Sequence, residues 1–349
     1  MAIKAVVMAE KGRAEIREVE KPKLRDGYVL VKVKAVALNP LDWKNLEVRF
    51  APGVRMGADY AGIIEEVGPG VTKPFKKGDR IAGFVNCSNS LQPEDGAFGE
   101  YLVAKASVQI KIPDNITDEQ AATLGVSVIT IGQSLYKHMG LPWPTAPAKE
   151  PQPILVHGAS SASGLYGIQF LKASGFTVIA TASPHNFEYL KSLGASAVFD
   201  YHSPTAAAEI KALTHNKLKL AWDCVGTGAE LIANALSDVE ESKLWTIMSP
   251  DEDTVRRINP KVDGPHFTLG YDVIGEPYQW IDKVAPALPE EHDYIAEFVE
   301  IVPKLLEDGT VKPIRTFVNR GGEGLEGVLK GLEELKAGKV SGGKLVYTL

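Results

Sequence analysis

Cysteine is nearly missing from this chain of 349 residues: Cys87 and Cys224 are the only two, far apart and in unrelated contexts. Two lone thiols cannot build a disulfide framework, and there is no C-x-x-C pair to clasp a metal. Long apolar runs are missing too; none approaches the roughly 20 residues that span a bilayer. The opening MAIKAVVMAEKG alternates like a strand and lacks the apolar core and cleavage site of a secretory signal. Positive charge is in deficit, with a formal net charge of -6. That balance disfavours nucleic acid as the main partner, since phosphate backbones want a basic face, yet it leaves room for a local pocket that holds one phosphorylated cofactor. These absences predict a soluble protein of a reducing compartment, most simply the cytoplasm, with neither a membrane nor a nucleic-acid partner.

What is present is an ordinary globular balance, 44% hydrophobic and 23% charged. The length exceeds one typical domain, so two domains are expected. From residue 1 to about Ala104 the apolar, β-branched runs AIKAVVMA, YVLVKVKAVAL, YAGIIEEVG and GDRIAGFV are bounded by Gly, Pro or Asp, the pattern of a β meander closing partly into a barrel. At Thr117 the texture changes: TDEQAATLGVSVITIGQSLYKHMG has an N-cap threonine and an acidic first turn, then runs on as helix. The proline-rich GLPWPTAPAKEPQP that follows reads as a surface loop.

From Ile154 onward strands and helices alternate with short connections: PILVHGA, SGLYGIQFLKASG, TVIATAS, NFEYLKSLGA, AVFDY, AAAEIKALTHN and LAWDCVG. That alternation predicts a parallel sheet covered on both faces. The closing LEGVLKGLEELKAGKVSGGKLVYTL reads as helix, turn and strand. The last strand is expected to return to the first domain, so that the parallel sheet is an insertion within it. KLWTIM, read as a further strand, is followed by the charged run DEDTVRR, poor material for edge-to-edge pairing, and a monomer is expected.

The segment that carries chemistry is ILVHGASSASGLYGIQ, Ile154 to Gln169. Gly158, Gly164 and Gly167 lie between an apolar strand and an apolar-periodic helix. Small residues there let a diphosphate approach the backbone, with N–H donors and the helix dipole aimed at its charge. Ser160, Ser161 and Ser163 add hydroxyls. The segment departs from G-x-G-x-x-G and would also suit a serine-rich turn with no ligand; its place after the first strand of a βαβ series favours the phosphate.

The end of the second strand selects the dinucleotide. An acidic residue there would accept the ribose 2′-hydroxyl of NAD, but TVIATASPHNF carries none. Ser183, His185 and Asn186 are neutral or potentially cationic donors suited to a 2′-phosphate, so NADPH is expected. SPHN would equally cap the next helix, and the two readings are compatible. Tyr201, at the tip of the third strand, offers a hydroxyl or a stacking face to the adenosine.

With these motifs in place, the chain resembles the zinc-independent, quinone-reductase branch of the medium-chain dehydrogenase/reductase superfamily over nearly its whole length. The resemblance rests on NPLDWK (Asn39 to Lys44), GADYAG (Gly57 to Gly62), GAFGEY (Gly96 to Tyr101) and HGASSASG (His157 to Gly164). Within that branch, GLPWP, ASPHNF, VFDY, FTLGYDVIGE and GKVSGGKLV are most similar to fungal trans-acting enoyl reductases of polyketide synthesis. The resemblance implies an α/β fold: a GroES-like, partly closed β-barrel from residues 1–125 and 286–349, and a doubly wound Rossmann domain with a parallel sheet from residues 126–285.

It also implies roles for individual residues. Leu41, Asp42, Trp43 and Lys44 would lie beside the cofactor. Ser160, Ser161, Ala162 and Ser163 would line its diphosphate, and Ser183, Pro184, His185, Asn186 and Tyr201 its adenosine phosphate. Met248, Ser249, Val340 and Ser341 would face the nicotinamide. Thr130, Ile131, Gly132, Gln133, Ser134, Leu135, Tyr136 and Lys137, with Gly270, Tyr271, Asp272, Val273 and Ile274, would wall the substrate pocket. Lys44 and Thr130 are the candidate catalytic residues, Lys44 because a fixed cation stabilises a developing enolate.

No metal is expected. Asn39, Asp59 and Tyr60 stand where zinc alcohol dehydrogenases carry ligands, and tetrahedral zinc wants Cys and His partners that this set lacks. The function implied is delivery of a hydride from NADPH to the β-carbon of an α,β-unsaturated thioester held on the acyl carrier protein of a polyketide synthase. A stand-alone quinone or enone reductase, and a catalytically silent NADPH-binding or scaffold protein, are the alternatives.

Overall fold

The computed structural model describes residues 2–349, which fall into two compact units. The first takes the chain up to Ile129, then Gly270–Gly309 and Pro313–Leu349; the second takes Thr130–Leu269 and Thr310–Lys312. The sequence assigns residues 270–285 to the cofactor-binding domain, whereas the structure places them in the first unit. The cause is packing: Tyr271, Val273 and Tyr278 are buried, and Asn45 Nδ2 donates to the Tyr271 hydroxyl at 3.0 Å.

In chain order, the first unit opens with β1 (Ala2–Glu10), β2 (Arg13–Glu20), β3 (Tyr28–Ala37), α1 (Pro40–Val48), β4 (Asp59–Val67), β5 (Arg80–Phe84), β6 (Tyr101–Lys105), β7 (Ile110–Lys111) and α2 (Asp118–Ala121), and α3 (Gly125–Ile131) carries the chain across the boundary. The second unit holds β8 (Pro153–His157), α4 (Ala162–Ala173), β9 (Thr177–Ala182), α5 (Phe187–Leu193), β10 (Ala197–Asp200), α6 (Ala206–Leu213), β11 (Leu220–Asp223), α7 (Ala229–Ala235), β12 (Ser242–Thr246), α8 (Glu252–Ile258) and β13 (Val262–Phe267). The chain then returns to the first unit with β14 (Tyr278–Trp280), β15 (Lys283–Ala285), α9 (Pro289–Phe298), α10 (Val302–Glu307), β16 (Thr316–Val318), α11 (Gly324–Lys336) and β17 (Lys344–Thr348).

In the first unit, strands run β16-β17-β3-β4-β5-β7, with β6 also paired to β3. The final strand does return: β17 lies antiparallel to β3, Val346 opposite Ala37. One core, including Val31, Tyr60, Phe98 and Tyr347, fills this sheet's inner face, and Leu325, Val328 and Leu332 of α11 pack into it. In the second unit, the six strands run β10-β9-β8-β11-β12-β13, all parallel. Counted within that unit, this is the order 3-2-1-4-5-6 of dinucleotide-binding sheets, whose switch point lies between β8 and β11. The strand read from KLWTIM is therefore interior, and β13 occupies the edge.

Residues 117–139 are not one continuous helix. Thr117 caps α2 as expected, its Oγ1 accepting Gln120 N, but α2 ends after one turn. The chain restarts at Gly125, where a Cβ would lie 2.3 Å from the Gly83 carbonyl oxygen and 2.5 Å from Asp59 Oδ1, so only glycine fits. After Ile131 it widens into a π turn over Gly132–His138, a geometry that recurs at functional positions.

Candidate active site

The second unit gathers the residues expected around the diphosphate at the carboxyl ends of β8 and β11. Gly158, at φ +67°, turns the chain out of β8, and a Cβ there would meet Val225 Cγ1 at 2.6 Å. Ser161 caps α4, its Oγ accepting Gly164 N at 3.2 Å. A Cβ on Gly164 would sit 2.7 Å from the Ala159 backbone, so the loop closes tightly onto the helix start. Ser160, Ser161 and Ala162 are partly exposed there, and Ser163 is buried. Small residues, an exposed serine edge and the amino end of a twelve-residue helix together fit a diphosphate.

Two buried side chains that the sequence reading did not assign hold this region in shape. Asp223 ends β11; its Oδ1 accepts Val225 N at 2.9 Å and Gly226 N at 2.8 Å, and its Oδ2 accepts Gly228 N at 2.9 Å. His157 ends β8 with Nδ1 2.8 Å from Thr181 Oγ1 of β9 and its ring edge-on to Tyr201 at 6.0 Å. Burial lowers the His157 pKa, with Asp223 acting weakly in the opposite sense, so the ring is a neutral spacer. The ends of β8, β9 and β10 are thereby cross-linked.

At the tip of β9, Ser183 precedes a single 3-10 turn, Pro184–Asn186. Pro184 and His185 are exposed, Ser183 is half-buried, and Asn186 is buried with Nδ2 3.2 Å from His185 Nε2. The carboxylate opposite in register is Asp200, paired with Ala182. It is turned to His202, accepting the backbone N–H at 3.0 Å and lying 2.8 Å from ring Nδ1. Tyr201 is 42% exposed, its ring centre 4.0 Å from that of His202. Met248 and Ser249 follow β12; Met248 N donates to Thr246 Oγ1 at 3.2 Å, and the Met248 side chain occupies the space a Cβ on Gly226 would need.

The π turn spends several of its side chains within the second unit. Tyr136 OH lies 2.8 Å from Ser174 Oγ, Gln133 Nε2 donates to the Leu269 carbonyl at 3.2 Å, and Ser134 Oγ is 3.4 Å from Thr268 Oγ1. Ile131, Gly132 and Leu135 are buried, whereas Thr130 and Lys137 are partly exposed.

In the first unit, α1 starts from Asn39 and Pro40, and Asn39 N donates to Asp42 Oδ2 at 2.7 Å. Asp42 is fully buried, and burial raises its pKa to about 8, the Asp59 charge adding and the Lys344 charge opposing. Its carboxylate caps the start of α1 from inside the unit. Leu41, Trp43 and Lys44 are partly exposed, with Lys44 Nζ 5.8 Å from the Trp43 ring centre. Partial burial lowers the Lys44 pKa. Val340 is half-buried and Ser341 exposed in the turn before β17. Within Gly270–Ile274, Tyr271, Val273 and Ile274 are buried; Asp272 accepts the Tyr278 hydroxyl at 2.8 Å, and the Val273 carbonyl pairs with His292 Nδ1 at 2.9 Å.

Beside Asp42, the carboxylate of Asp59 is saturated by protein donors. Asn39 Nδ2 donates to Oδ2 at 3.0 Å, Val126 N to Oδ1 at 2.6 Å, and the Lys344 ammonium forms a short ion pair with Oδ2. Asp59 and Lys344 side chains are 0% and 3% exposed. A lysine thus holds the one carboxylate of the Asn39, Asp59, Tyr60 set that could ligate zinc, and this donor set does not fit the metal. Cys87 is buried with its thiol pKa pushed up, and among the described residues no group of three or more His, Cys, Asp or Glu could hold a metal ion.

Comparison with known proteins agrees with this geometry. Residues 25–114 match the alcohol dehydrogenase GroES-like domain family and residues 162–238 the zinc-binding dehydrogenase family. Trans-enoyl reductase resD of Aspergillus sclerotiorum is 41% identical over 367 residues, covering 99% of both chains. Trans-enoyl reductase ACTTS2 of Alternaria alternata is 39% identical, covering 99% of this chain and 98% of its own. Among solved structures, the quinone oxidoreductase from Coxiella burnetii shares the fold at a TM-score of 0.71 and 21% identity, covering 100% of each chain. The chain belongs to the trans-enoyl reductase family, oxidoreductases within the medium-chain dehydrogenase/reductase superfamily.

Proposed function

We propose that this protein uses NADPH to reduce the α,β double bond of an enoyl thioester carried on the acyl carrier protein of a polyketide synthase. The observation that supports the cofactor choice is the end of β9, where Ser183, Pro184 and His185 present a hydroxyl and an imidazole, buried Asn186 lies behind them, and none of the four is a carboxylate. A doubly charged 2′-phosphate is accepted there, whereas an acidic residue would repel it. The carrier-bound substrate rests on family membership.

Bound NADPH would supply the hydride for the β-carbon, and solvent, Lys44 or a ribose hydroxyl would supply the proton for the α-carbon, giving the saturated thioester and NADP⁺. The contribution of the chain is binding, orientation and charge. The β8–α4 loop with Ser160, Ser161 and Ser163 grips the diphosphate, and Asp223 and His157 keep that loop and its neighbours rigid. Lys44, whose pKa partial burial lowers, is assigned to the cofactor ribose or the substrate carbonyl oxygen, where charge would build as hydride arrives. Thr130 is assigned to the substrate as a hydroxyl donor. Among the described residues no helix is long and apolar enough to cross a membrane; with two buried free thiols, a cytoplasmic, monomeric enzyme is part of this reading.

The test compares initial rates with NADPH on crotonyl-pantetheine, a longer enoyl-pantetheine, and simple quinones. The reading expects turnover of the thioesters and weak or no turnover of the quinones. Preference for quinones would replace it with a stand-alone quinone reductase, and tight NADPH binding with no hydride transfer to any acceptor would replace it with a silent binding protein.

A further inference from the structure

Within the first unit, an open pocket of about 260 Å³ is lined by Val48, Arg49, Phe50 and Ala51 at the end of α1, by Ser88 and Ser90, and by Gln279 and Ile281 of the β14–β15 hairpin. Its floor is chemically incomplete. Arg49 is 6% exposed, and among the described residues no carboxylate lies within ion-pair distance of it. Nη2 donates to the Gln279 carbonyl at 2.7 Å, but Nε and Nη1 find no acceptor with hydrogen-bond geometry; those two atoms carry three of the five N–H hydrogens of a guanidinium. Apart from that carbonyl, the cation is faced by aromatic rings, 4.3 Å from the Tyr271 centre, 5.3 Å from that of Trp280 and 5.9 Å from that of Tyr278. Ser88 Oγ, also buried in the lining, has no nitrogen or oxygen partner.

A buried guanidinium stacked on aromatic rings without a counter-charge is stabilised only in part, since its desolvation is large and its remaining donors are unmade. An anion in the pocket would complete it. The surroundings are also conformationally set: Ser88 and Ile281 both adopt left-handed backbone, φ 57° and 52°, which is rare for a β-branched residue and recurs at ligand clamps. Asn89 Oδ1 accepts Gln279 N at 3.2 Å and ties the Ser88–Ser90 loop to the hairpin. The rim differs from the floor, with Val48 and Ile281 more than half exposed, 52% and 53%. The ligand that fits is an anion with bulky apolar carbon next to it.

We infer that this pocket binds the phosphate of a phosphopantetheine arm, with Arg49 and Ser88 facing the phosphate and Val48 and Ile281 facing the adjacent gem-dimethyl carbon. The inference rests on the carrier-bound substrate proposed above. Arg49 would act on recognition of the arm and not on hydride transfer, so its effect belongs in KM for phosphorylated thioesters.

Calorimetric titration of the full-length protein with phosphopantetheine, pantetheine and inorganic phosphate tests this directly. Phosphopantetheine is expected to bind at least about tenfold more tightly than either control, since a charge-assisted contact contributes roughly that factor. Arg49→Met should abolish the difference, and Arg49→Lys should restore part of it. Ser90→Glu, on an exposed position where folding is not at risk, places a repelling carboxylate at the rim and should abolish it too. Equal binding of phosphopantetheine and pantetheine, binding of inorganic phosphate as tight as that of phosphopantetheine, or indifference to both Arg49→Met and Ser90→Glu would overturn the inference. Absence of turnover on every thioester would instead sink the proposed reaction, and the calorimetric result decides the pocket in either event.

Discussion

Lys344 of the last strand places its ammonium on the carboxylate of Asp59 at the start of β4, both side chains being buried. The pair joins the two ends of the chain's barrel-forming sequence and fills with a proton-bearing cation a position where zinc relatives need ligands. Breaking one partner of a buried pair leaves an uncompensated charge, which costs about 3–5 kcal/mol. Lys344→Met is therefore expected to lower the unfolding free energy by that amount in a urea titration, and Asp59→Asn combined with Lys344→Met to lower it by less than the two single effects added together. Strict additivity would show that the two residues do not act as a pair.

Asp42 gives the stability of the protein a pH dependence of unusual sign. Its folded-state pKa of about 8 lies above the ordinary aspartate value near 3.9, so the folded state holds a proton that the unfolded state releases. Between those two values stability contributed by Asp42 falls as pH rises, and it is spent above about pH 8. Urea unfolding at pH 5.5 and pH 8 should show a larger loss for the native protein than for Asp42→Asn, whose amide oxygen still accepts from Asn39 N. Parallel pH profiles for the two proteins would contradict this.

Gly167 marks where α4 presses on the sheet. A Cβ there would lie 2.3 Å from Trp222 Cζ3 of β11, and both the helix and the indole are buried. Gly167→Ala is expected to cost about 1–3 kcal/mol of stability, as overpacking in a close-packed core does, measured by denaturant unfolding. An unchanged midpoint would mean the indole moves aside freely.

Much of this architecture is legible in the sequence because periodicity reports burial directly. The parallel strands read as continuous apolar runs, Thr117 announces a helix start, and the small-residue run after His157 marks a tight strand-to-helix turn. What was hidden depends on distant partners. Lys344 in SGGKLVYTL is a cation in an apolar strand, a visible anomaly, but nothing local names Asp59 as its partner 285 residues away. Asp223 in LAWDCVG was likewise visible as an acid ending a buried strand, while its three backbone donors come from a turn that only the fold closes. The burial of Asp42 as a cap is not legible locally, since an acid in NPLDWK suits an exposed first turn equally well. Residues 270–285 were drawn to the wrong domain because a 3-10 turn and a short hairpin carry no period, and their place is set by Tyr271 and Asn45.

Lys44 tests the assignment of charge to the reacting carbonyl. Lys44→Met keeps the apolar stem beside Trp43 and removes the cation. It should lower kcat on an enoyl thioester by roughly a hundredfold, the effect of deleting one preorganised donor, with a smaller change in NADPH affinity. A raised dissociation constant for NADPH with unchanged kcat would assign Lys44 to cofactor binding alone.

The end of β9 is proposed to accept a phosphorylated ribose. Fluorescence titration of the protein with NADPH and with NADH, repeated on Ser183→Asp, measures it most directly. The account predicts that NADPH binds roughly a hundredfold more tightly, the worth of two charge-assisted hydrogen bonds, and that the aspartate narrows this ratio at least tenfold. Equal affinity for the two cofactors, or a ratio that Ser183→Asp leaves untouched, would contradict it.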